Sequence, residues 1–175
     1  MATRWRSFPP SRVADMTAHR SADIGIVVQS GCFDPGQLLN QLHARQAGIG
    51  AVVTFVGYVR DFNLGQDVAG MLLEHYPGMT EKALQGIAAE AAERWPLLGV
   101  EVLHRVGQLA PGEPIVFVGV SAAHRQAAFD ACHFIIDYLK TRAPFWKKEA
   151  TPAGSVWVEA RASDEAALQR WQRPD

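Results

Sequence analysis

A chain of 175 residues fits one domain, with room for a small appended lobe, and is long enough to bury most of a core. Its composition, 48% hydrophobic and 20% charged, is that of a soluble globule, and a formal net charge of -1 argues against nucleic acid or an acidic membrane as partner. Two cysteines, Cys32 and Cys132, are too few for a disulfide scaffold and lack the paired spacing of zinc or redox motifs, so a reducing, cytoplasmic setting is expected. No apolar run approaches the roughly 20 residues that cross a bilayer, and the amino terminus lacks a secretory core.

Residues 1–22 carry Arg4, Arg6, Arg12, Arg20 and a Pro9-Pro10 pair without periodicity, which predicts a flexible extension; Met16 is an alternative start. The rest, 23–175, is expected to form one domain. Asp23 to Gln29 alternates weakly and predicts a first strand. Asp34-Pro35 then opens a helix with Asp34 as N-cap, Gln37 placed for a capping box and Leu38, Leu39 and Leu42 as its apolar face. Ala51 to Val59 is almost continuously apolar, the pattern of a strand covered on both faces. Arg60 stands at its exit, followed by a polar loop from Asp61 to Gln66 and a returning strand from Val68 to Tyr76.

Pro77-Gly78 breaks that strand, and Leu84, Ile87, Ala88 and Ala91 fall at helical spacing between Thr80 and Trp95. Strands follow over Gly99 to Val106 and Pro114 to Val120, separated by a Pro111-Gly112 turn. Ser121 is placed to cap a long helix from Ala122 to about Arg142, with a stripe of Ala128, Ala131, Cys132, Ile135, Ile136 and Leu139. After Pro144 come strands Phe145 to Ala150 and Val156 to Ala160, joined by Pro152-Ala153-Gly154, and a short helix from Asp164 to Trp171. The alternation of strands and helices predicts an α/β or α+β sheet protein.

The chemistry concentrates between Asp137 and Glu149, where Lys140, Arg142, Lys147 and Lys148 surround Pro144, Phe145 and Trp146. An anion seat on a stiff turn fits this pattern, and so does a helix end whose basic residues complement its dipole. Lys140 falls at the edge of the apolar stripe, where desolvation lowers a lysine toward general-base range, while Asp137 one turn earlier favours its charged form in a plain surface pair. A second cationic pair, His124-Arg125, opens the long helix, where unpaired N–H groups favour phosphate; an exposed first turn is the plain alternative. Sixteen residues separate His124 from Lys140, about 24 Å on an unbroken helix and roughly opposite faces. If both pairs serve one site, His124 and Arg125 come from a second copy, which predicts a homodimer. The six histidines show no metal spacing, and Cys132 in the stripe reads as core.

Several segments carry a resemblance: Phe55-Val56-Gly57-Tyr58-Val59-Arg60, Leu73-Glu74-His75-Tyr76-Pro77-Gly78-Met79, Ala123-His124-Arg125, and above all Asp137-Tyr138-Leu139-Lys140-Thr141-Arg142-Ala143-Pro144-Phe145-Trp146-Lys147-Lys148-Glu149. In unbroken order from about Ala51 to Arg161, they resemble the large, catalytic subunit of molybdopterin synthase. The resemblance implies an α/β hammerhead fold with a small additional antiparallel β subdomain. It also implies a homodimer that binds a small ubiquitin-like sulfur-carrier subunit at each end, a heterotetramer in all. The carrier's Gly-Gly tail, activated as a thiocarboxylate, enters a pocket and supplies two sulfurs to cyclic pyranopterin monophosphate, forming the molybdopterin dithiolene. By the same resemblance Lys140 and Lys147 are catalytic. Arg60 with His124 and Arg125 holds the substrate, Tyr58 and Val59 belong to the substrate-binding set, Lys148 and Glu149 line the same wall, and Arg161 has no settled role. Sulfur arrives on the partner, so no resident cofactor or metal is implied. Tyr58 departs from the smaller or basic residue common at its position, and the leader has no counterpart. Two rivals stand beside this reading: an anion-binding module without turnover, and a sulfurtransferase using Cys132.

Overall fold

Strand β1 (Asp23–Gln29) lies parallel to β6 (Leu97–Arg105), which pairs antiparallel with β8 (Pro114–Ala122); β8 in turn pairs antiparallel with β2 (Ala51–Tyr58). The order β1-β6-β8-β2 makes β6 and β8 the central strands of the first sheet. The computed structural model that shows this describes residues 21–63, 66–67, 69–151, 154–158 and 162–171. The leader up to residue 20, the Pro152-Ala153 step and Arg161 lie outside the described residues.

The twofold period of the central strands separates two layers. Val100, Val102, Val118, Val120 and Ala122 are buried on one side, against helices α2 (Met79–Arg94) and α3 (Arg125–Arg142). Their partners are the predicted stripes: Leu84, Ile87, Ala88 and Ala91 on α2, and Ala128, Ala131, Cys132, Ile135, Ile136 and Leu139 on α3. Each fully buried Leu, Ile or Phe here contributes about 1.5–3 kcal/mol by leaving water. On the opposite side, Gly99 and Gly119 make room for α1 (Pro35–Ala44): a Cβ on Gly119 would stand 2.8 Å from Leu42 Cδ2, and one on Gly99 3.2 Å from Leu42 Cδ1. Asp34 caps α1 as expected, its Oδ1 accepting from Gly36 N at 2.7 Å and Gln37 N at 3.3 Å.

A second, antiparallel sheet runs β10 (Gly154–Val158), β9 (Phe145–Thr151), β5 (Gly70–His75) and β7 (Gly107–Leu109), with its own small core of Val59, Met71, Leu73 and Leu109. This is the expected small antiparallel subdomain. Helix α4 (Ala162–Leu168) and a 3-10 turn, Gln169–Trp171, then fold back onto α3. Trp171 stands edge-on to Phe134 and Trp95, with ring centroids 5.4 and 5.9 Å away, and its indole N–H donates to Asp137 Oδ2 at 2.9 Å.

Five expectations are corrected. Ser121 does not cap α3: strand pairing on both sides carries β8 through Ala122, and the buried Ser121 hydroxyl donates to the Gly99 carbonyl within the sheet. The N-cap is His124, whose side chain makes no capping bond. Strand β2 is not covered on both faces; it lies at the sheet edge, and Phe55 and Tyr58 are exposed. Leu39 is also exposed, because only Leu42 of the α1 trio projects into the glycine gap. Finally, the polar loop after Arg60 contains two-residue strands β3 (Phe62–Asn63) and β4 (Gln66–Asp67), and β7 completes the second sheet where no strand was expected.

Candidate functional site

The last turn of α3 and the first residues of β9 are tied together by a short bend. Ala143 N–H donates to the Leu139 carbonyl at 3.4 Å, closing the helix, and Pro144 blocks its continuation. Thr80, fully buried at the start of α2, pins the bend: its hydroxyl donates to the Pro144 carbonyl at 3.3 Å while accepting from Tyr76 N–H at 3.2 Å. The chain then enters β9, which pairs with β5 so that Lys147 lies opposite Leu73. Lys140 and Lys147 are thereby brought to one cavity.

That cavity, about 800 Å³, opens where the two sheets meet the carboxyl end of α3. Its apolar part includes Met71, Leu73, Val116, Ile136 and Leu139, and its charged part Arg60, Lys140, Lys147, Glu149 and Asp164. Three cations against two carboxylates leave this side positive by count. Lys147 Nζ lies 2.5 Å from Glu149 Oε1, on the same face two residues along β9, and Glu149 is buried. Lys140 Nζ lies 3.8 Å from Asp164 Oδ1, a carboxylate delivered by α4.

The predicted residues divide sharply. Lys140, Lys147, Glu149, Arg60 and Tyr58 line the cavity. Lys148 does not share their wall: one residue from Lys147, it projects to the other face of β9, where its Nζ lies 5.3 Å from the Trp157 ring centroid. Val59 is a core residue of the small subdomain, 2% exposed, and its N–H donates to the Glu113 carbonyl at 2.9 Å. Arg142 is also turned away, its guanidinium 3.0 Å from Glu90 and 3.8 Å from the Tyr138 ring centroid. The desolvation expected at Lys140 is not offered by a side chain that is 49% exposed, and its carboxylate neighbour is Asp164 in place of Asp137, which is engaged by Trp171.

His124 and Arg125 border a separate hollow of about 420 Å³ with Gly50, Ala123 and Gln126. Gly50 allows the Ala123 carbonyl to approach where a Cβ would collide with it. Helix α3 runs unbroken between this hollow and Lys140, so within one chain the two cationic groups serve different concavities.

Two further groups bear on the chemistry. Burial pushes the Cys132 thiol up to about 12, which leaves no nucleophilic thiolate near neutrality. His104, not singled out in the sequence, lines the cavity as the next position after Val100 and Val102 on the helix-facing side of β6. Its ring stacks on Phe145 with centroids 3.8 Å apart, and Nδ1 lies 2.8 Å from the Arg105 carbonyl. Burial pushes its pKa down to about 4, against the opposing effect of that carbonyl bond, and neighbouring His75 adds to the lowering. A histidine in a mostly apolar strand signals little by itself; the signal lies in Phe145, forty-one residues later.

The family described as "MoaE protein" matches residues 28–142. The molybdopterin synthase catalytic subunit of Pseudomonas aeruginosa is 71% identical over 149 residues, covering 85% of this chain and 99% of that one. Its Escherichia coli namesake is 59% identical over 150 residues, covering 86% and 99%. Among solved structures, the molybdopterin biosynthesis MoaE protein of Burkholderia ambifaria matches with a TM-score of 0.75 and 54% identity, over 86% of this chain and 99% of that one.

Proposed function

The chain belongs to the MoaE protein family, and from that premise we propose that it is the catalytic subunit of a molybdopterin synthase, a sulfurtransferase of molybdenum cofactor biosynthesis. It moves two sulfurs onto cyclic pyranopterin monophosphate, one from each of two thiocarboxylated Gly-Gly tails of a small ubiquitin-like carrier, each tail leaving as a carboxylate. The observation that carries this reading is the convergence of Lys140 and Lys147 on one cavity with an apolar part and a positive side. An extended tail suits the apolar part, and a phosphorylated heterocycle suits the cations.

Lys140, half exposed and held near Asp164, takes the role of proton shuttle at the thiocarboxylate. Lys147, anchored by Glu149, stabilises negative charge at the reacting carbon. Arg60 and Tyr58 border the substrate on the same side. His124 and Arg125 bind the phosphate from a second copy, because α3 holds them far from Lys140 of their own chain. Two chains and two carriers make a heterotetramer, with residues 23–175 of each chain forming one domain. Sulfur and substrate both come from outside, so the scheme uses no resident cofactor or metal. The chain's place is the cytoplasm, a reducing compartment that suits two free cysteines, exposed Cys32 and buried Cys132.

Mixing the purified chain with a thiocarboxylated carrier and cyclic pyranopterin monophosphate tests the proposal. Dithiolene product that depends on both additions supports it. Binding of the pterin without product would favour a module that has the fold but not the turnover.

A further inference from the structure

The cavity contains one polar group that the scheme above leaves unused. His104 is 5% exposed, and the surface it retains lines the cavity. Its Nδ1 faces the Arg105 carbonyl at 2.8 Å, and a carbonyl only accepts, so Nδ1 carries the proton and donates. Nε2 is then a lone-pair acceptor. It has no hydrogen-bond partner among the described residues, and it is not among the side-chain atoms sealed from solvent without one. The stack on Phe145 fixes the ring plane, so this acceptor is held in place before anything binds.

We propose that His104 Nε2 accepts a hydrogen bond from a backbone N–H of the carrier's Gly-Gly tail, making His104 a tail-recognition residue in the deep part of the cavity. The inference rests on the proposed function, since it requires that a tail enter here. Peptide N–H groups that leave water need an acceptor, and a Gly-Gly tail has no side chain to supply one. The phosphorylated substrate is the poorer candidate for this bond. Its anionic group belongs with cations, the second copy's His124 and Arg125 together with Arg60 at the charged side of the cavity, whereas His104 is packed against Phe145 on a strand that continues from Val100 and Val102. A neutral acceptor among apolar side chains offers an anion nothing and an amide N–H a partner.

The test compares wild type with His104→Phe, which keeps an aromatic ring on Phe145 without the acceptor, and His104→Gln, which restores an acceptor near the Nε2 position. The probe is the unactivated carrier with its free Gly-Gly carboxyl end, titrated by calorimetry, alongside steady-state KM values for thiocarboxylated carrier and for the cyclic pterin. Expected are about a tenfold or greater weakening of carrier binding in His104→Phe, substantial recovery in His104→Gln, and an unchanged KM for the pterin. Equal carrier affinity in wild type and folded His104→Phe overturns the inference, as does a rise confined to the pterin KM. If His104→Phe melts far below wild type, His104→Leu takes its place under the same criteria. Failure of wild type itself to bind the carrier would instead refute the tail-in-cavity reading on which the inference stands.

Discussion

At the scale of single residues, Lys140, Lys147 and Cys132 separate the competing chemistries. Lys140→Ala removes a half-exposed side chain paired with the Asp164 carboxylate 3.8 Å away, so the fold should lose less than about 1 kcal/mol while turnover falls by orders of magnitude. Circular dichroism melts with a product assay check this; near-normal turnover would remove Lys140 from the mechanism. Cys132→Ala should leave turnover within about twofold and cost about 1 kcal/mol of stability, because it deletes one buried sulfur from the α3 stripe. A collapse of activity in a folded Cys132→Ala protein would revive the cysteine-dependent rival. His104 carries a pH signature of its own. Its imidazole stays neutral in the fold down to about pH 4, so below an unfolded value near 6.5 the unfolded chain takes up a proton that the native state does not. Its contribution is therefore intact above that range and is lost as pH falls, by about 2–3 kcal/mol near pH 4.5. Urea unfolding near pH 7.5 and 4.5 should show that loss in wild type and a correspondingly smaller one in His104→Gln; equal losses would contradict it.

The elements show why some of the fold could be read from sequence and some could not. Helices α2 and α3 announced themselves because a stripe at 3.6-residue spacing is local information, and all six predicted α3 stripe residues are buried. Ser121 misled because a cap and a strand end look alike in sequence; only pairing with β6 and β2, more than twenty residues distant on one side and nearly seventy on the other, decides. The edge position of β2 and the three-residue β7 depend on the same kind of nonlocal pairing. For the site, Lys140 and Lys147 were legible through resemblance. The exclusion of Lys148 was legible from the pleat alone, since strand neighbours face opposite ways. Thr80 was not legible, because its task is to hold a carbonyl sixty-four residues later in the chain. Thr80→Val should cost about 1–3 kcal/mol by stranding the Pro144 carbonyl and the Tyr76 N–H, and should lower turnover by loosening the bend before Lys147. Chemical denaturation together with kcat measures both; unchanged turnover would show that the bend holds without this clamp.

For the whole molecule, the unbroken α3 makes a quantitative statement about assembly. If the cavity of one copy is completed by His124 and Arg125 of another, Lys140→Ala and Arg125→Ala damage different halves of each composite site. Unfolding and refolding the two variants together in equal amounts makes half of the dimers mixed, and each mixed dimer keeps one intact site of two. Activity should recover to about a quarter of wild type, far above either variant alone. No recovery, with dimer exchange verified by sedimentation, would show that Arg125 and Lys140 do not complete one site across the dimer, and full activity of Arg125→Ala alone would place Arg125 outside the reaction.

The alternation that separates Lys147 from Lys148 also constrains how the gene can vary. A one-codon insertion or deletion between Pro144 and Lys147 would rotate every later β9 side chain to the reverse face, sending Lys148 inward and Glu149 out unless the strand re-pairs. Length changes in this bend are thus tolerable only in twos, whereas point substitutions of Trp146, which is exposed, leave the parity intact.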